Sequence, residues 1–520
     1  MLYTAISSLV GILILVVVLD YIIAVKPDPR EPTFITPRIP LVGHLIGLFI
    51  QKQPYFVHLR KTYPSLPIYG LSIFGSRIYI VNSASLAVAV QRNAKNLSLV
   101  ALAAQFADTV FKLSIPGTKI LLNNIRGDNG ATGFSHEFIN SAHSALAFGP
   151  ILDELTESVV KEASIAANRL AENASEEISL SEWIRRALTL AASNAVYGPA
   201  NPLANDVKEE ASLDFVQGLT GLLFLPRFLA RKADEGRRKT VQMLADYLQT
   251  ESYLKGSRYI QSRVKIGPKH DLSLEDTARM ELAGLIALMP NANAAAFWLT
   301  CDIYSRPSLL QALREELQHI LVTDKSDSKT SYTLDVTKIK EQCPLFVSTF
   351  QETLRQMSLG VTSRLVLNDT IINDRYLLKK NAIVMVPAAT LHSDPTVYGP
   401  DADRFDPYRF VSKGKDASHK IPQGAFRTFG GGSSLCPGRH FAATEIFVLI
   451  GLLVLRYNIS PLTEDGEWKL PAPDMNNVTV AIPSPTVDIK VKFVQREGWD
   501  GDWKAIATPL TTRFDPVIVN

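Results

Sequence analysis

The sequence predicts a mainly α-helical protein with small β-sheets, preceded by a single transmembrane helix. Apolar residues recur with helical periodicity from about residue 150 to 355. Alternating β-forming residues at 67–81 predict a hairpin, and a second β-rich stretch spans residues 363–386, where Asn373 and Asp374 predict a turn. Hydrophobic residues make up 46% of the chain and charged residues 20%, which is typical of an ordinary globular core.

The N-terminal segment is long enough to span a bilayer. Asp20 is the only charged residue in the first 25 positions, and about 20 apolar residues suffice for a spanning helix. Lys26 and Arg30 follow the segment and no basic residue precedes it, so positive-inside bias places the remaining chain in the cytosol. We therefore expect a single-pass anchor over residues 1–25, in the endoplasmic reticulum membrane. A cleaved signal peptide is the alternative, although a basic n-region and a small-residue cleavage site are missing.

A proline-rich stretch follows the anchor. Five prolines lie between Pro27 and Pro40, and such a stretch is stiff and extended. It predicts a hinge over residues 26–45. Neither an internal repeat nor a low-complexity linker interrupts the rest, so residues 46–520 are expected to form one large domain.

Composition excludes several classes of protein. The 54 Lys and Arg residues nearly balance 51 Asp and Glu residues, so nucleic acid is not an expected partner. Three cysteines, Cys301, Cys343 and Cys436, are too few and too scattered for a disulfide framework or a cysteine-based zinc site. Among nine histidines only His136 and His143, seven residues apart, have a suggestive spacing, and a shared helix face also explains it.

Cys436 lies in an unusual stretch, FRTFGGGSSLCPGRHFA, at residues 426–442. Three consecutive glycines permit positive φ angles and the close approach of a flat ligand. Pro437 suits the first turn of a helix, which places Cys436 at or near the N-cap, where orphan N–H groups and the helix dipole stabilise a negative sulfur. A buried cysteine is more often just a small apolar residue, and that interpretation applies to Cys301 and Cys343.

The spacing F-x-x-G-x-x-x-C-x-G, filled by Phe429, Gly432, Cys436 and Gly438, resembles the haem-ligand loop of the cytochrome P450 family. The resemblance implies the P450 fold, with residues 46–520 as the catalytic domain, and a thiolate-ligated haem b cofactor. It implies that the Cys436 thiolate is the axial ligand of the iron, where it favours O–O cleavage, and that Phe429 packs near the sulfur. The two glycines would belong to the same cofactor-binding loop.

Two further motifs of that family follow the expected order. ETLR places Glu352 and Arg355 three residues apart on one helix face, and DRFDPYRF places Arg409 at the arginine of the family's P-E-R-F motif. Tyr408 replaces the usual glutamate of that motif. In the family, the three charges form a buried cluster with a structural role on the haem side of the core.

Two haem-propionate contacts of the family are missing. Ser434 stands where the family often has Arg or His, two residues before the cysteine, and the segment FSHEFINSAHSALAFGP lacks the usual W-x-x-x-R. The resemblance therefore assigns propionate pairing to Arg364, which matches a family arginine after E-x-x-R. His136 and His143 are outside candidates.

A long helix is predicted from Ser273 to about Ser305. It opens with SLED, a capping-box-like start, and its roughly 33 residues would span about 50 Å. In the family such a helix crosses the distal face of the haem, and an acid and a threonine manage protons there. Here Pro290 and Asn291 take those positions; the proline opens the helix at the Ile286 carbonyl, and the asparagine offers both a donor and an acceptor. A kink in a buried helix is the plainer alternative.

The resemblance implies a monooxygenase that takes electrons from an NADPH–cytochrome P450 reductase and oxidises a lipophilic small molecule. The stretch FGGGSSLCPGRHFA is similar to fungal family members of secondary metabolism, which suggests a terpenoid, sterol-like or polyketide substrate. The asparagine in place of the threonine resembles one branch of the family, in which the same replacement occurs. That branch contains sterol hydroxylases and also prostacyclin synthase, which is an isomerase. Two alternatives therefore stay open: a haem-thiolate isomerase or lyase that acts on a peroxide without a reductase, and a non-catalytic haem-binding protein.

Five mostly apolar stretches are expected to form the substrate wall, and their composition indicates a hydrophobic substrate. They are residues 100–111, 219–228, 287–291, 360–362 and 481–483. The C-terminal residues 499–520 carry no pattern that predicts a structure.

Overall fold

Helices dominate the structure, as predicted. The computed structural model describes residues 25–37, 39, 42–125, 132–172, 177–325, 330–411 and 421–508. Its helices are α1 (Gly43–Gln51), α2 (Pro54–Thr62), α3 (Ala84–Arg92), α4 (Leu99–Phe111), α5 (Ile115–Leu122), α6 (Phe134–Ala145), α7 (Pro150–Glu172), α8 (Leu180–Tyr197), α9 (Asp206–Gln217), α10 (Leu219–Phe224), α11 (Arg231–Gln249), α12 (Arg258–Val264), α13 (Ile266–Lys269), α14 (Leu274–Leu288), α15 (Pro290–Tyr304), α16 (Pro307–Ile320), α17 (Val336–Gln342), α18 (Pro344–Met357), α19 (Ala388–His392), α20 (Pro395–Tyr398) and α21 (Arg439–Arg456). The mainly α-helical fold class with small sheets is therefore confirmed.

The strands are short and form small sheets. They are β1 (Ile68–Ile73), β2 (Ser76–Val81), β3 (Leu97–Ser98), β4 (Ile178–Ser179), β5 (Leu321–Lys325), β6 (Thr330–Asp335), β7 (Val361–Val366), β8 (Thr370–Ile372), β9 (Tyr376–Leu378), β10 (Ile383–Pro387), β11 (Tyr457–Pro461), β12 (Lys490–Gln495) and β13 (Asp502–Ile506). The strand orders are β1-β2-β10-β7-β3, β11-β12-β4, β13-β6-β5 and β8-β9.

Both predicted β regions are confirmed. Strands β1 and β2 form an antiparallel hairpin in which Ile68 lies opposite Val81. Strands β8 and β9 pair across a turn where Asn373 and Asp374 have φ angles of 51° and 52°. Asparagine and aspartate tolerate this left-handed region better than other non-glycine residues, which explains why the pair marks the turn.

The chain divides into two compact units. The first comprises Met1–Ala103, Leu359–Asp403 and Ile421–Leu435, and the second comprises Ala104–Ser358, Arg404–Lys420 and Cys436–Asn520. In the first unit the five-stranded sheet packs apolar side chains from β2 and β10, including Tyr79 and Val384, against Leu86 and Val90 of α3. The residues that precede Cys436, up to Leu435, also belong to this unit.

Part of the proline-rich stretch, residues 28–35, is fixed to the first unit. Phe34 and Gly70 form an isolated bridge to β1, and a Cβ at Gly70 would lie 2.8 Å from the Phe34 ring, so only glycine permits this packing. The buried carboxylate of Glu31 accepts a hydrogen bond of 2.6 Å from the Tyr79 hydroxyl. These residues are extended, and they are held by side-chain and backbone contacts.

The predicted long helix is present in the second unit. Helices α14 and α15 run from Leu274 to Tyr304, and Met289 alone separates them. Ser273 caps the start, since its Oγ accepts the Asp276 N–H at 3.0 Å. The predicted start, the predicted end near residue 305 and the interruption at the proline are all confirmed.

Two apolar helices form much of the interior of the second unit. Helix α15 is buried from Ala292 to Tyr304, and α21 is buried over nearly its whole length. A helix that is apolar on all sides is expected inside a large domain. In the described part of the chain, Leu274–Tyr304 is the one helix long and apolar enough to cross a bilayer, and most of it is buried in the protein.

The predicted anchor over residues 1–25 lies outside the described residues, apart from Val25. The predicted boundaries at residues 25 and 45, and the assignment of residues 46–520 to one catalytic domain, stay predictions.

Candidate functional site

The glycine-rich loop before Cys436 is tightly folded. Gly430 and Gly432 have φ angles of 76° and 57°, which L side chains rarely adopt. A Cβ at Gly430 would lie 2.6 Å from the Ser434 carbonyl oxygen, and one at Gly432 would lie 2.8 Å from Cβ of Gln91. Both positions therefore require glycine. Phe429 begins this loop in the first unit with a half-buried side chain.

Cys436 opens the next segment, in the second unit, and its thiol is partly buried. Helix α21 begins at Arg439 with Gly438 as its N-cap, so the predicted helix start at Pro437 is two residues too early. Residues 437–438 form a turn instead, and helix ends commonly shift by this amount. Burial raises the pKa of the Cys436 thiol, whereas the backbone N–H groups of Gly438 and Arg439 and the Arg439 charge lower it. Donors for a negative sulfur are thus in place.

Glu352, Arg355 and Arg409 form a buried ion cluster in the second unit. Arg355 Nε donates to Glu352 Oε2 at 2.7 Å, and Arg409 Nε donates to Glu352 Oε1 at 3.1 Å. The Asp406 N–H adds a third bond to Glu352, at 3.1 Å. Tyr408, in place of the family's glutamate, has a half-exposed side chain. Because Glu352 is completely buried, its charge depends on these donors.

A second buried carboxyl group, Asp302, lies next to this cluster. Its Oδ2 accepts from the Thr353 hydroxyl at 2.8 Å, and its Oδ1 accepts from Arg306 at 3.0 Å. Burial raises the pKa of Asp302 to about 6, and the negative charge of Glu352 adds to this effect. Sequence reasoning missed Asp302, since a single Asp in an apolar helix has no spacing that marks its partners.

The interruption between α14 and α15 exposes one face of the long helix. Pro290 has no N–H, so it cannot donate to the Ile286 carbonyl. Ala287 is exposed, and Pro290 and Asn291 are partly exposed, whereas the remainder of α15 is buried. The protein therefore leaves this face of the helix open at the predicted distal position.

Asn291 makes two contacts that the sequence did not predict. Its Oδ1 accepts the backbone N–H of Ala481 at 2.9 Å and that of Ile482 at 3.1 Å. The acceptor predicted for Asn291 is therefore engaged by protein backbone, and Nδ2 is the group left to donate.

Three of the five predicted wall segments are linked within the second unit: residues 219–228, 287–291 and 481–483. Thr220 Oγ1 accepts the Val478 N–H at 3.0 Å, three residues before Ala481. The other end of the same stretch is held by Asn291. Residues 360–362 lie in the first unit, and residues 100–111 divide between the two.

Comparison with known proteins identifies the family. A family model described as Cytochrome P450 matches residues 261–491. Cytochrome P450 monooxygenase nodJ of Hypoxylon pulicicidum is 31% identical to this chain over 502 residues, which are 95% of each protein. The chain belongs to the cytochrome P450 family. A cytochrome P450 monooxygenase of Gibberella zeae is 28% identical over 93% of each chain. The rabbit (Oryctolagus cuniculus) 7-alpha-hydroxycholest-4-en-3-one 12-alpha-hydroxylase is 25% identical over 40% of this chain and 43% of its own.

As a P450, the protein is an oxidoreductase of the monooxygenase type with a thiolate-ligated haem b, and the family and cofactor predictions are confirmed. When bound through a thiolate, haem supplies the oxygen-activating chemistry. P450 monooxygenases receive electrons from a redox-partner reductase and act on lipophilic substrates.

Arg364 fits a carboxylate of that cofactor. The residue is almost completely buried; its Nη1 donates to the Leu97 carbonyl at 3.0 Å, and its Nη2 donates to Ser434 Oγ at 2.9 Å. Within the described ranges, its Nε has no partner and no carboxylate pairs with it. A buried guanidinium needs an anion, and a propionate matches its fork of donors. Ser434, in place of the family's Arg or His, thus helps orient a different arginine.

Arg427 is a second buried arginine that sequence reasoning missed. Its Nε also lacks a partner among the residues the structure describes, and no carboxylate there pairs with it. Burial lowers the pKa of Arg427 to about 10, and the charge of Arg364 adds to this effect. In the amide orientation that satisfies both groups, Gln91 Oε1 accepts from Arg427 Nη2 at 3.2 Å. The first unit therefore concentrates positive charge around its glycine-rich loop.

The outside candidates His136 and His143 both lie on α6. His136 Nε2 lies 3.1 Å from the Ile125 carbonyl oxygen. Burial and the charge of Arg439 lower the pKa of His143, which favours the neutral form, a weak partner for a carboxylate. In the described ranges, no group of three His, Cys, Asp or Glu residues is placed to hold a metal ion.

Proposed function

We propose that this P450 oxidises a lipophilic terpenoid or sterol-like small molecule of secondary metabolism. The observation that carries the proposal is the composition of the linked wall segments. Residues 219–228, 287–291 and 481–483 contain a single charged residue, Arg227, which is exposed, and among the others only Thr220 and Asn291 carry a polar side chain. Both of those polar side chains bond to protein backbone, so the wall presents mainly apolar surface to a substrate. The name of the rabbit relative, a hydroxylase of a sterol-derived ketone, supports the sterol-like class.

In this proposal the haem contacts follow the predicted residues. Cys436 supplies the axial thiolate, and the N–H groups of Gly438 and Arg439 stabilise its charge. Phe429 and Gly432 form the loop beside the cofactor, and Arg364 pairs with a propionate through its unsatisfied Nε. The cluster of Glu352, Arg355 and Arg409 has a structural role.

Asn291 and Pro290 are the proposed distal residues. Pro290 leaves the Ile286 carbonyl without its helical donor, and Asn291 Nδ2 is a donor on the same open face of the helix. A water molecule held between an amide donor and a carbonyl acceptor can pass protons inward. The absence of an acid and a threonine is therefore compatible with monooxygenase chemistry.

The proposed setting is the endoplasmic reticulum membrane, with residues 1–25 as anchor, residues 26–45 as hinge and the catalytic domain in the cytosol. The apolar N-terminal sequence supports the anchor, and the basic residues that follow it support the orientation. Exposed apolar side chains at Phe224 and Phe228 offer an additional contact with lipid. The proposed electron donor is NADPH–cytochrome P450 reductase.

The direct test is metabolite profiling of a strain that lacks the gene, followed by turnover of the accumulated compound by the full-length enzyme with NADPH and the reductase. We expect an apolar polycyclic precursor to accumulate and to gain one oxygen atom in the reconstituted reaction. An ionic or sugar-like precursor would contradict the substrate class. Conversion of a peroxide without the reductase would contradict the proposed reaction and favour the isomerase alternative.

The anchor is tested by deleting residues 1–25. Most of the protein should move from the membrane pellet to the supernatant, while haem content per polypeptide stays unchanged. An unaltered pellet fraction would show that another surface, such as the one with Phe224 and Phe228, dominates attachment.

A further inference from the structure

The residues from Asn477 to Pro483 form an irregular stretch without strand pairing of its own. Hydrogen bonds to neighbouring helices hold it instead. At one end, Asn477 Nδ2 donates to the Val216 carbonyl at 3.1 Å, and Thr220 Oγ1 accepts the Val478 N–H at 3.0 Å. The position of this stretch is therefore set by other parts of the second unit.

At its other end the stretch is held by one face of α15. Asn291 Oδ1 accepts the N–H groups of both Ala481 and Ile482, and Trp298 Nε1 donates to the Pro483 carbonyl at 2.8 Å. Asn291 and Trp298 are seven residues apart, two helical turns, so they lie on the same face of the helix.

The two bonds made by Asn291 require an asparagine-like side chain. A carboxamide oxygen carries two lone pairs on an sp² centre, which lets it accept from two consecutive N–H groups at once. Burial makes this arrangement important for stability. Because Ile482 is only 4% exposed, its backbone N–H could not form a hydrogen bond to water if the bond to Asn291 were lost. Ala481 is partly exposed.

We propose that Asn291 is a positioning residue: its side-chain oxygen fixes the backbone of Ala481 and Ile482, and thereby the part of the substrate wall that lies beside the open face of the long helix. The inference rests on the proposed function in one respect, namely that an apolar substrate occupies this site. The proposal gives the Asn291 side chain two separate roles. Oδ1 sets the shape of the wall, and Nδ2 is available for water.

The roles separate in two substitutions. Asn291→Ala removes both bonds to the wall and the amide donor. Asn291→Asp keeps an oxygen acceptor of the same shape at the same place but removes the donor. Asn293→Ala is the matched control, because Asn293 lies on the same helix and bonds to Thr189 Oγ1 at 3.1 Å rather than to the wall.

The first readout is hydrogen–deuterium exchange of the haem-loaded, full-length protein, resolved at the amides of Ala481 and Ile482. A hydrogen bond contributes roughly 1 kcal/mol net. We therefore expect the amides of Ala481 and Ile482 to exchange at least about fivefold faster in Asn291→Ala than in the wild type. Asn291→Asp and Asn293→Ala should exchange as the wild type does. If Asn291→Ala fails to fold, Asn291→Ser removes the same carboxamide oxygen but keeps a polar group at this partly exposed position.

The second readout is ligand binding, followed by the optical change of the haem. Clotrimazole carries bulky apolar rings that fill much more of a substrate site than imidazole does, so its binding should depend on the shape of the wall. We expect Asn291→Ala to change the Kd of clotrimazole at least about threefold and to leave the Kd of imidazole unaltered. In Asn291→Asp both Kd values should stay close to those of the wild type.

Wild-type exchange at Ala481 and Ile482 in Asn291→Ala would overturn the proposal. Equal acceleration in Asn293→Ala would also overturn it, since the effect would then reflect general loosening of the helix. Failure of the proposed substrate class would appear elsewhere, as an ionic precursor in metabolite profiling, and would leave the exchange result intact.

Discussion

The Thr353 hydroxyl donates to the carboxylate of Asp302 at 2.8 Å and joins α18 to α15. Thr353 directly follows Glu352, so this bond places a second buried carboxyl group beside the ion cluster. Burial disfavours the charged form of Asp302, and the negative charge of Glu352 adds a smaller repulsion; the charge of Arg306 and the two hydrogen bonds offset only part of the cost of burial. Protonation of Asp302 therefore affects how firmly these two helices associate.

Asp302 should make the protein less stable as the pH rises. Its folded-state pKa of about 6 lies above the usual value of 3.8, so the folded protein binds the proton more tightly than the unfolded chain. The resulting stabilisation is complete below pH 3.8 and is lost as the pH rises through 6. The unfolding free energy of the wild type should fall by up to about 3 kcal/mol relative to Asp302→Asn between pH 4 and pH 7.

Chemical denaturation of both proteins across this pH range measures the difference. Asp465→Asn is the control, because Asp465 is exposed and its folded-state pKa is lowered to about 2, so it stays ionised in the folded protein across this range. A constant difference between the wild type and Asp302→Asn would show that Asp302 titrates normally.

Glu352→Gln should strongly destabilise the protein. The substitution leaves the buried guanidinium groups of Arg355 and Arg409 without their shared carboxylate, and breaking such a cluster typically costs about 3–5 kcal/mol. We expect little folded holoprotein, measured as haem content and thermal midpoint.

Glu235→Gln is the matched control for that substitution. Glu235 has the same E-x-x-R spacing to Arg238, but it is half exposed and pairs with Lys239 at 3.1 Å. Its loss should leave the unfolding free energy almost unchanged, because exposed ion pairs contribute little to stability. Equal stability of the two variants would refute the structural role of the buried cluster.

Arg364→Ala should weaken haem retention. The Arg364 Nε has no protein partner in the described ranges, and a charge-assisted bond to a propionate contributes about 1.5–3 kcal/mol. We expect haem to transfer to excess apomyoglobin roughly ten to a hundred times faster than from the wild type. Arg375→Ala removes an exposed arginine of the first unit and should leave the rate unchanged. An unchanged rate in Arg364→Ala would exclude propionate pairing by Arg364.

Local features of the fold could be predicted from the sequence because their partners are close along the chain. The Ser273 cap, the turn at Asn373 and Asp374 and the break at Pro290 all depend on the chemistry of neighbouring residues. Glu352 and Arg355 meet because they are three residues apart on one helix.

Other features depend on contacts between distant residues, which spacing does not reveal. The partners of Asn291 lie 190 residues further along the chain, and Asp302 and Thr353 are separated by 51 residues. The C-terminal residues 502–506 gave no sequence signal, yet they form β13 beside β6 and bury Trp503. Arg427 likewise has no sequence signal. It is identified as a candidate because its guanidinium is buried and no carboxylate in the described ranges pairs with it.

The assignment of Cys436 as the haem ligand is tested most directly by the optical spectrum of the reduced carbon monoxide complex of Cys436→Ser. A thiolate opposite carbon monoxide gives a strongly red-shifted Soret band, and a serine hydroxyl is a poor substitute for a thiolate. The red-shifted band should be present in the wild type and in Cys343→Ser, whose cysteine is buried and has a raised pKa. It should be absent from Cys436→Ser. Retention of that band in Cys436→Ser would contradict the assignment of Cys436 as the axial ligand.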